Sequence, residues 1–407
     1  MQNLNLKNRG TTFHWRDDSR IDWRIIFVLI ALMAIGFVSL FLALKADSSG
    51  SIVKSMFVQC LWWAFGWSIA IFLMHLDSQQ LFRFAPVAYA LGIFLLVFVL
   101  FAYSRSLEAT TNAKSWLAIG SLTFQPSEVM KPALILMLAR VVYTHNQNYS
   151  VHTLSSDFLL IAKMSGITIP VIVLMLLQHD FGSTLVFVAI FGGIFLVSGI
   201  LNRILVPIVG AFGTIGALAI FAVTTTPGRN FLTQLGFESY QFARIDDWLD
   251  PSGNDTNTSG YQLYQSIKAI GSGRIFGNGL NNITVYVPVR ESDMIFSVIG
   301  EGLGFVGGFV LIALYFFLIY SMIRRVFDTK NSFYAYVVSG VVLMILFHVF
   351  ENIGMSIGLV PLTGIPLPFI SQGGSALIAN MIGIGLTLSM QYHNFTSEFA
   401  KKETNFK

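Results

Sequence analysis

Long apolar runs alternate with short polar breaks along this chain, and the runs have the length of bilayer-crossing helices, about 20 mostly apolar residues each. Ten runs qualify: TM1 24–45, TM2 53–75, TM3 82–103, TM4 127–144, TM5 158–178, TM6 183–200, TM7 204–225, TM8 294–323, TM9 333–356 and TM10 374–391. The weakest boundary is GILNR, the only break between TM6 and TM7. The pattern predicts an all-α polytopic membrane protein of about ten transmembrane helices, one transmembrane domain over 1–407. A polar lead, 1–23, precedes the spans and a polar tail, 392–407, follows them. The break at 226–293 is by far the longest and has room for a small extramembrane structure.

Basic residues orient the spans. Arg9, Arg16, Arg20 and Arg24 precede TM1, Arg140 ends TM4, and Arg203 lies between TM6 and TM7. Arg324, Arg325 and Lys330 follow TM8, and Lys401, Lys402 and Lys407 end the chain. An even number of spans puts all of them on one side, which the positive-inside rule makes cytoplasmic, with both termini. The loops after TM1, TM3, TM5, TM7 and TM9 are then extracellular, including 226–293.

Composition agrees. Hydrophobic residues are 54% and charged residues 11%, against about 25% charged in soluble domains. Mean hydropathy is +0.68. So few charges cannot coat a water-facing surface, so lipid is the solvent. The net charge of +4 reflects basic inner loops rather than nucleic-acid binding. The single Cys60 falls inside TM2 and reads as a packed, inert thiol. The first apolar run is too long for the core of a signal peptide.

Chemistry-bearing residues collect in the outer loops. In FQPSEVMKPAL, Ser127 can cap a helix and Glu128 can favour its positive end. Lys131 sits one turn inside an apolar run, where an unpaired charge costs about 2.5–3.5 kcal/mol. Glu128 pairs with it at i, i+3, and a lysine so held suits a phosphate. In QHDFGS, Asp180 serves equally as a hydrogen-bonding or a chemical group, and His179 has no second metal ligand nearby. The glycines of AIGSGRIFGNGL (271, 273, 277, 279) lack the GK[ST] of a phosphate loop and read as turns or re-entrant backbone. In PLTGIPLPFISQGGS, prolines and glycines forbid a continuous helix, and the segment is expected to wall an outward-facing cleft. Glu301, His348 and Glu351 are intramembrane polar residues expected to hydrogen-bond between helices. In VPVRESDMIF, Ser292 or Asp293 makes an N-cap for TM8. A carboxylate between Arg290 and a lipid boundary also suits proton abstraction beside a phosphate leaving group, and Glu291 would raise its pKa.

These motifs resemble the SEDS family (shape, elongation, division and sporulation) of peptidoglycan glycosyltransferases over nearly the whole chain. The resemblance rests on W-L-x-x-G-x-x-x-F-Q-P-S-E-x-x-K at 116–131, Q-x-D-x-G at 178–182 and G-Y-Q-L-x-Q-S-x-x-A-I-G-S-G at 260–273. V-P-V-R-E-S-D-x-I-F at 287–296 and N-I-G-M-x-x-G-x-x-P-x-T-G-I-P-L-P-x-x-S-x-G-G-S at 352–375 complete it. VPVRESD, in place of the commoner LPE-x-HTD, favours the RodA-type elongation members of Gram-positive bacteria over the FtsW-type division members. The resemblance makes Asp293 the essential aspartate and catalytic base. It marks Trp116, Glu128 and Lys131 as substrate-binding, with Lys114, Asp180, Gln265, Ser266, Arg290 and Ser371 as further candidate contacts. The sequence departs from the family pattern at Val289 and Glu291, at Ser115, and at Gln372.

The implied substrate is lipid II, a disaccharide-pentapeptide on undecaprenyl pyrophosphate, polymerised at the outer leaflet of the bacterial plasma membrane. A β bond made from an α-linked diphosphate requires inversion, hence a base on the acceptor hydroxyl and cations at the pyrophosphate. Asp293 is the candidate base, with Lys131, Arg290 and Lys114 as pyrophosphate contacts. A divalent cation, Mg or Mn, would assist there, although no dedicated site is visible. The implied partners are a class B penicillin-binding protein and other elongation-complex membrane proteins. A lipid II flippase is the rival reading, since many spans and a Pro/Gly-broken segment are also transporter features.

Overall fold

The computed structural model describes residues 20–47, 51–111, 113–120, 122–234, 239–251, 259–329 and 331–404. Arg9, Arg16, Lys330 and Lys407, with most of the polar lead, lie outside the described residues. Numbered in chain order, the ten expected spans are the helices α1 Trp23–Asp47, α2 Ile52–Met74, α3 Ser78–Ala102, α5 Pro126–Asn148, α6 Leu154–Leu177, α7 Phe181–Val197, α8 Asn202–Thr224, α12 Ile295–Asp328, α13 Ser332–Ser356 and α14 Ser375–Thr404. Among the described residues, seven are long and apolar enough to cross a membrane, and α7 is a shorter apolar helix. The chain is an all-α multi-pass membrane protein. GILNR is a true break: Gly199 turns the chain at φ 88°, and α8 starts at Asn202.

The loop after α3 holds a short helix, α4 Arg105–Thr111, and an antiparallel ribbon of β1 Leu117–Ile119 and β2 Leu122–Phe124. The long break after α8 carries α9 Thr226–Gln234, α10 Ser239–Leu249 and α11 Ser259–Ser272. Cys60 corrects its expectation: it is exposed on α2. Apolar residues surround it in sequence, but lipid solvates them, so an apolar neighbourhood does not imply burial.

The core forms where helices α5 and α13 meet. Both are packed on several sides, α5 against α3, α6, α7, α13 and α14, and α13 against α5, α7, α12 and α14. A helix covered all round can carry polar groups inward only if they pair with one another.

Helix α12 is broken at Gly304, whose φ of 67° and ψ of −162° interrupt it. The glycine-rich segment 273–279 lies in that break. Asn278 and Gly279 amides donate to the carbonyls of Glu301 and Gly302 at 2.9 and 3.1 Å, and Phe305 and Val306 amides donate to Arg274 and Ile275 at 2.9 and 3.0 Å. Backbone thus packs on backbone. A Cβ on Gly273 would lie 1.9 Å from the Gly300 carbonyl oxygen, and one on Gly304 would lie 2.3 Å from the Gly277 nitrogen. The Glu301 carboxylate accepts from the amides of Thr284 and Val285 at 2.8 and 3.0 Å, closing the same loop.

The Pro/Gly segment after α13 is buried in protein: Ile365, Leu367, Phe369 and Ile370 are all within the core. The Tyr315 hydroxyl donates to the Pro368 carbonyl, Trp63 packs its ring 6.3 Å from that of Phe369, and Trp248 Nε1 donates to Gly358 at 2.9 Å. Non-helical backbone at this depth is thereby satisfied by neighbours.

Candidate functional site

The motif-bearing loops gather at one end of the bundle. The Lys114 amide donates to the Gln178 carbonyl at 2.9 Å, Gln125 Nε2 donates to Asp180 Oδ2 at 2.9 Å, and the Gln372 amide donates to the Glu291 carbonyl at 2.9 Å.

The stretch 288–294 is a tight turn. Val289 has φ 55°, a left-handed value that costs a β-branched residue about 1–3 kcal/mol unless its surroundings impose it. The amides of Ser292 and Met294 both return to its carbonyl, at 3.2 and 3.3 Å. Three successive carbonyls are then gripped from outside the turn. Glu291 O takes the Gln372 amide, Ser292 O takes Ser371 Oγ at 2.6 Å, and Asp293 O takes Asn352 Nδ2 at 2.7 Å. Arg290 anchors the turn's start, with Nη2 on Asp47 and Nη1 on the Val285 carbonyl at 3.1 Å.

Neither Ser292 nor Asp293 caps α12, contrary to one expectation. The N-cap is Met294, with no side-chain cap bond. The tight turn ends one residue too late for either side chain to reach the helix amides. The Asp293 carboxylate therefore stays out of the helix end. Its partner is the Ser292 hydroxyl, 3.1 Å away, and a Cβ on Gly364 would come within 3.3 Å of its Oδ2. Burial raises its pKa to about 7, against the lowering effect of the Ser292 hydrogen bond and with a further raise from Glu291.

Lys131 is only 1% exposed. Its ammonium lies 2.7 Å from Glu128 Oε1 and 3.1 Å from His348 Nε2. An ammonium only donates, so Nε2 accepts, and the imidazole proton sits on Nδ1, which meets the Met344 carbonyl at 2.6 Å. Two of the three lysine protons are thus assigned. Glu128 Oε2 and Ser127 Oγ are buried with no hydrogen-bond partner. Ser127 is not the expected cap either: Gln125 holds that position, without a side-chain bond, and Pro126 opens α5.

Helix α13 links the two centres. His348, which holds Lys131, and Asn352, which holds the Asp293 backbone and also donates to the Ile365 carbonyl at 2.8 Å, are spaced i, i+4 on one face. The rise between them is about 6 Å. His348 was expected to bond between helices and does; Glu301 bonds to loop backbone instead.

The other candidates are spread around these centres. Asp180 caps α7 through the Ser183 amide at 3.0 Å besides meeting Gln125. Ser266 donates to the Ser356 carbonyl at 2.8 Å, and Ser371 accepts the Leu367 amide at 2.8 Å while gripping Ser292. These three, with Arg290, hold backbone or helix ends in place. Gln265 is half-buried on α11. Trp116 is half-buried, its carbonyl taken by the Ser104 amide at 2.8 Å. Lys114 is partly exposed, 3.8 Å from Glu108 and over the Tyr103 ring at 5.5 Å. Asn352, Asp47 and Gln125 were not singled out from the sequence. Asn352 and Gln125 had a signal, as the first residue of the NIGM motif and the Gln of FQPSE; Asp47 acts through a partner distant in the chain. Among the described residues, no group of three or more His, Cys, Asp or Glu could hold a metal ion.

A buried Lys–Glu–His cluster and a clamped aspartate lie in a polytopic helical bundle, which puts the chain in the class of multi-pass membrane proteins that keep ionisable groups inside the bundle. The FtsW–RodA–SpoVE model, described as a cell cycle protein family, matches residues 21–396, and the chain belongs to that family. It is 31% identical to the peptidoglycan glycosyltransferase MrdB of Escherichia coli K12, over 93% of this chain and 95% of the relative. It is 28% identical to the stage V sporulation protein E of Bacillus subtilis, over 92% and 97%. The solved structure of a peptidoglycan synthase complex that coordinates polymerisation and crosslinking contains a similar chain, with TM-score 0.73 and 28% identity over 92% of this chain and 98% of that one. The rod shape determining protein RodA of Thermus thermophilus matches with TM-score 0.65 and 27% identity, over 93% and 98%.

Proposed function

We propose that this chain is a peptidoglycan glycosyltransferase that polymerises lipid II, with its site on the outer face of a bacterial plasma membrane. The observation that carries this reading is Asp293: it is no helix cap, its turn is held by grips on the carbonyls of Glu291, Ser292 and Asp293 itself, and burial pushes its carboxyl up to about 7. A base poised near the working pH is the most effective proton acceptor. Asp293 removes the proton from the acceptor sugar hydroxyl as that oxygen attacks the anomeric carbon of the growing glycan, and the pyrophosphate carrier leaves from the opposite face. Lys131 offers its third N–H to the departing pyrophosphate, with Glu128 and His348 fixing its position. Arg290, neutralised by Asp47, serves the turn instead. Trp116, Lys114 and Gln265 remain candidate contacts to the sugars and peptide. A Mg or Mn ion would have to arrive bound to the pyrophosphate, since no group of three or more His, Cys, Asp or Glu among the described residues could hold one; no step above depends on it.

The elongation role is supported by the VPVRESD loop. The partner we propose is a class B penicillin-binding protein, with other elongation-complex membrane proteins beside it; its support is that a similar chain was solved in a peptidoglycan synthase complex that coordinates polymerisation and crosslinking. The test is polymerisation of lipid II by purified protein. Wild type should make glycan strands, and Asp293→Asn, with an unchanged melting temperature, should make none. Long strands from that variant would overturn the assignment of the base. Lipid II crossing vesicles without polymerisation would favour a flippase. Depletion in cells should impair lengthwise growth rather than septation.

A further inference from the structure

The grips on 291–293 fix main chain, not the carboxyl of Asp293. Its Oδ1 takes the Ser292 hydroxyl at 3.1 Å, and its Oδ2 takes no hydrogen bond among the described residues. Oδ2 is therefore the oxygen left for a substrate proton, and what lies against it is backbone: a Cβ on Gly364 would come within 3.3 Å of it. Gly364 has φ 75°, a left-handed value that suits glycine. Any side chain there would strain the turn and press on the carboxyl.

Gly364 is held on both sides by successive residues of α13. On one side Asn352 Nδ2 donates to the Ile365 carbonyl at 2.8 Å. On the other, the Thr363 hydroxyl hydrogen-bonds the carboxyl of Glu351, with Met355 Sδ as a weaker acceptor at 3.7 Å. Glu351, expected to bond between helices, thus serves the Pro/Gly segment instead. It is buried, and among the described residues no ion pair accounts for it. Ionisable residues inside a membrane bundle carry function by default. The opening turn of α7 closes the space behind: a Cβ on Gly182 would lie 3.0 Å from the Thr363 carbonyl oxygen. The Thr363–Gly364 step is wedged between α7 and α13 on one side and Asp293 Oδ2 on the other.

We propose that Glu351 is a positioning residue for the glycosyl transfer: through Thr363 and Gly364 it sets the carboxyl of Asp293 so that Oδ2 receives the proton. The acceptor O–H bond breaks and Oδ2–H forms as that oxygen attacks the anomeric carbon, and the pyrophosphate leaves with the bonding pair. This inference rests on the glycosyltransferase reading. Its test is steady-state polymerisation of lipid II by purified full-length variants, with melting temperatures to confirm folding. Glu351→Ala and Thr363→Val should each lower kcat by up to roughly a hundred-fold, the effect of about an ångström of misplacement, with KM unchanged. Because both act by one route, the double variant should be no slower than the slower single. Glu351→Gln, which keeps an acceptor for the hydroxyl, should restore kcat and leave the acidic limb of the pH–rate profile in place. Wild-type kcat in Thr363→Val, or in a folded Glu351→Ala, would overturn the proposal. So would a Glu351→Gln variant as slow as Glu351→Ala, since the acid itself would then be acting. Thr363→Val exchanges only a hydroxyl for a methyl and keeps the test open if Glu351→Ala does not fold. Asp293→Asn separates the two readings: if it is inert while Thr363→Val is fully active, this inference alone fails, whereas a polymerising Asp293→Asn removes the base itself.

Discussion

Burial raises the pKa of Asp293, and two neighbours adjust it in opposite directions that mutation can separate. If it acts as the base it must be ionised, so polymerisation should rise with pH through about 7. Glu291 pushes the value up by charge, so Glu291→Gln should move the acidic limb of the pH–rate profile to lower pH. Ser292 pulls it down by a hydrogen bond, so Ser292→Ala should move the same limb to higher pH. Opposite shifts from adjacent residues would be hard to obtain from general damage; limbs that do not move would mean that another group titrates. Lys131 allows a similar separation. Lys131→Ala leaves Glu128 charged and buried alone, which should cost about 3–5 kcal/mol in thermal unfolding. Pairing Lys131→Met with Glu128→Gln should recover much of that stability without recovering activity. Recovered activity would make the pair purely structural.

The glycine-rich segment and the broken α12 depend on one another. Gly273→Ala forces a methyl into the Gly300 carbonyl and should lower the melting temperature in detergent sharply, with a cost above about 2 kcal/mol. Gly271→Ala is the control: a Cβ there meets nothing within 4 Å, and in helix α11 it should be neutral or stabilising by up to about 1 kcal/mol. The spans were legible in the sequence because lipid demands length and apolarity of each helix separately. Helix α5 is not among the seven that are long and apolar enough by themselves; it carries Glu128 and Lys131 and is covered by neighbouring helices instead. The GSGRIFGNG segment could be read as backbone rather than phosphate loop, but not where that backbone goes, since Gly304 lies 25 or more residues away from most of it. The capping reading at Ser127 failed because Pro126 opens α5 and leaves the cap position to Gln125, and the one at Ser292–Asp293 because the turn, clamped by Asn352 and Ser371, leaves it to Met294.

In the molecule as a whole, α5 and α13 form a shaft that places the two centres, and the other helices cover it or face lipid. Asn352 is where this can be tested. Asn352→Ala should strand the carbonyls of Asp293 and Ile365, cost about 1–3 kcal/mol, and lower polymerisation more than stability explains, because Asp293 would lose its aim. Activity equal to wild type would show that the other two grips suffice. The grips also have an evolutionary consequence. Every one of them takes hold of a main-chain carbonyl, which all twenty amino acids possess. The side chains at 289, 291 and 292 can therefore drift without the aspartate being displaced, so this chain can carry Val289 and Glu291 where its relatives' pattern has other residues. The same stretch is free to retune the acidity of Asp293 one substitution at a time.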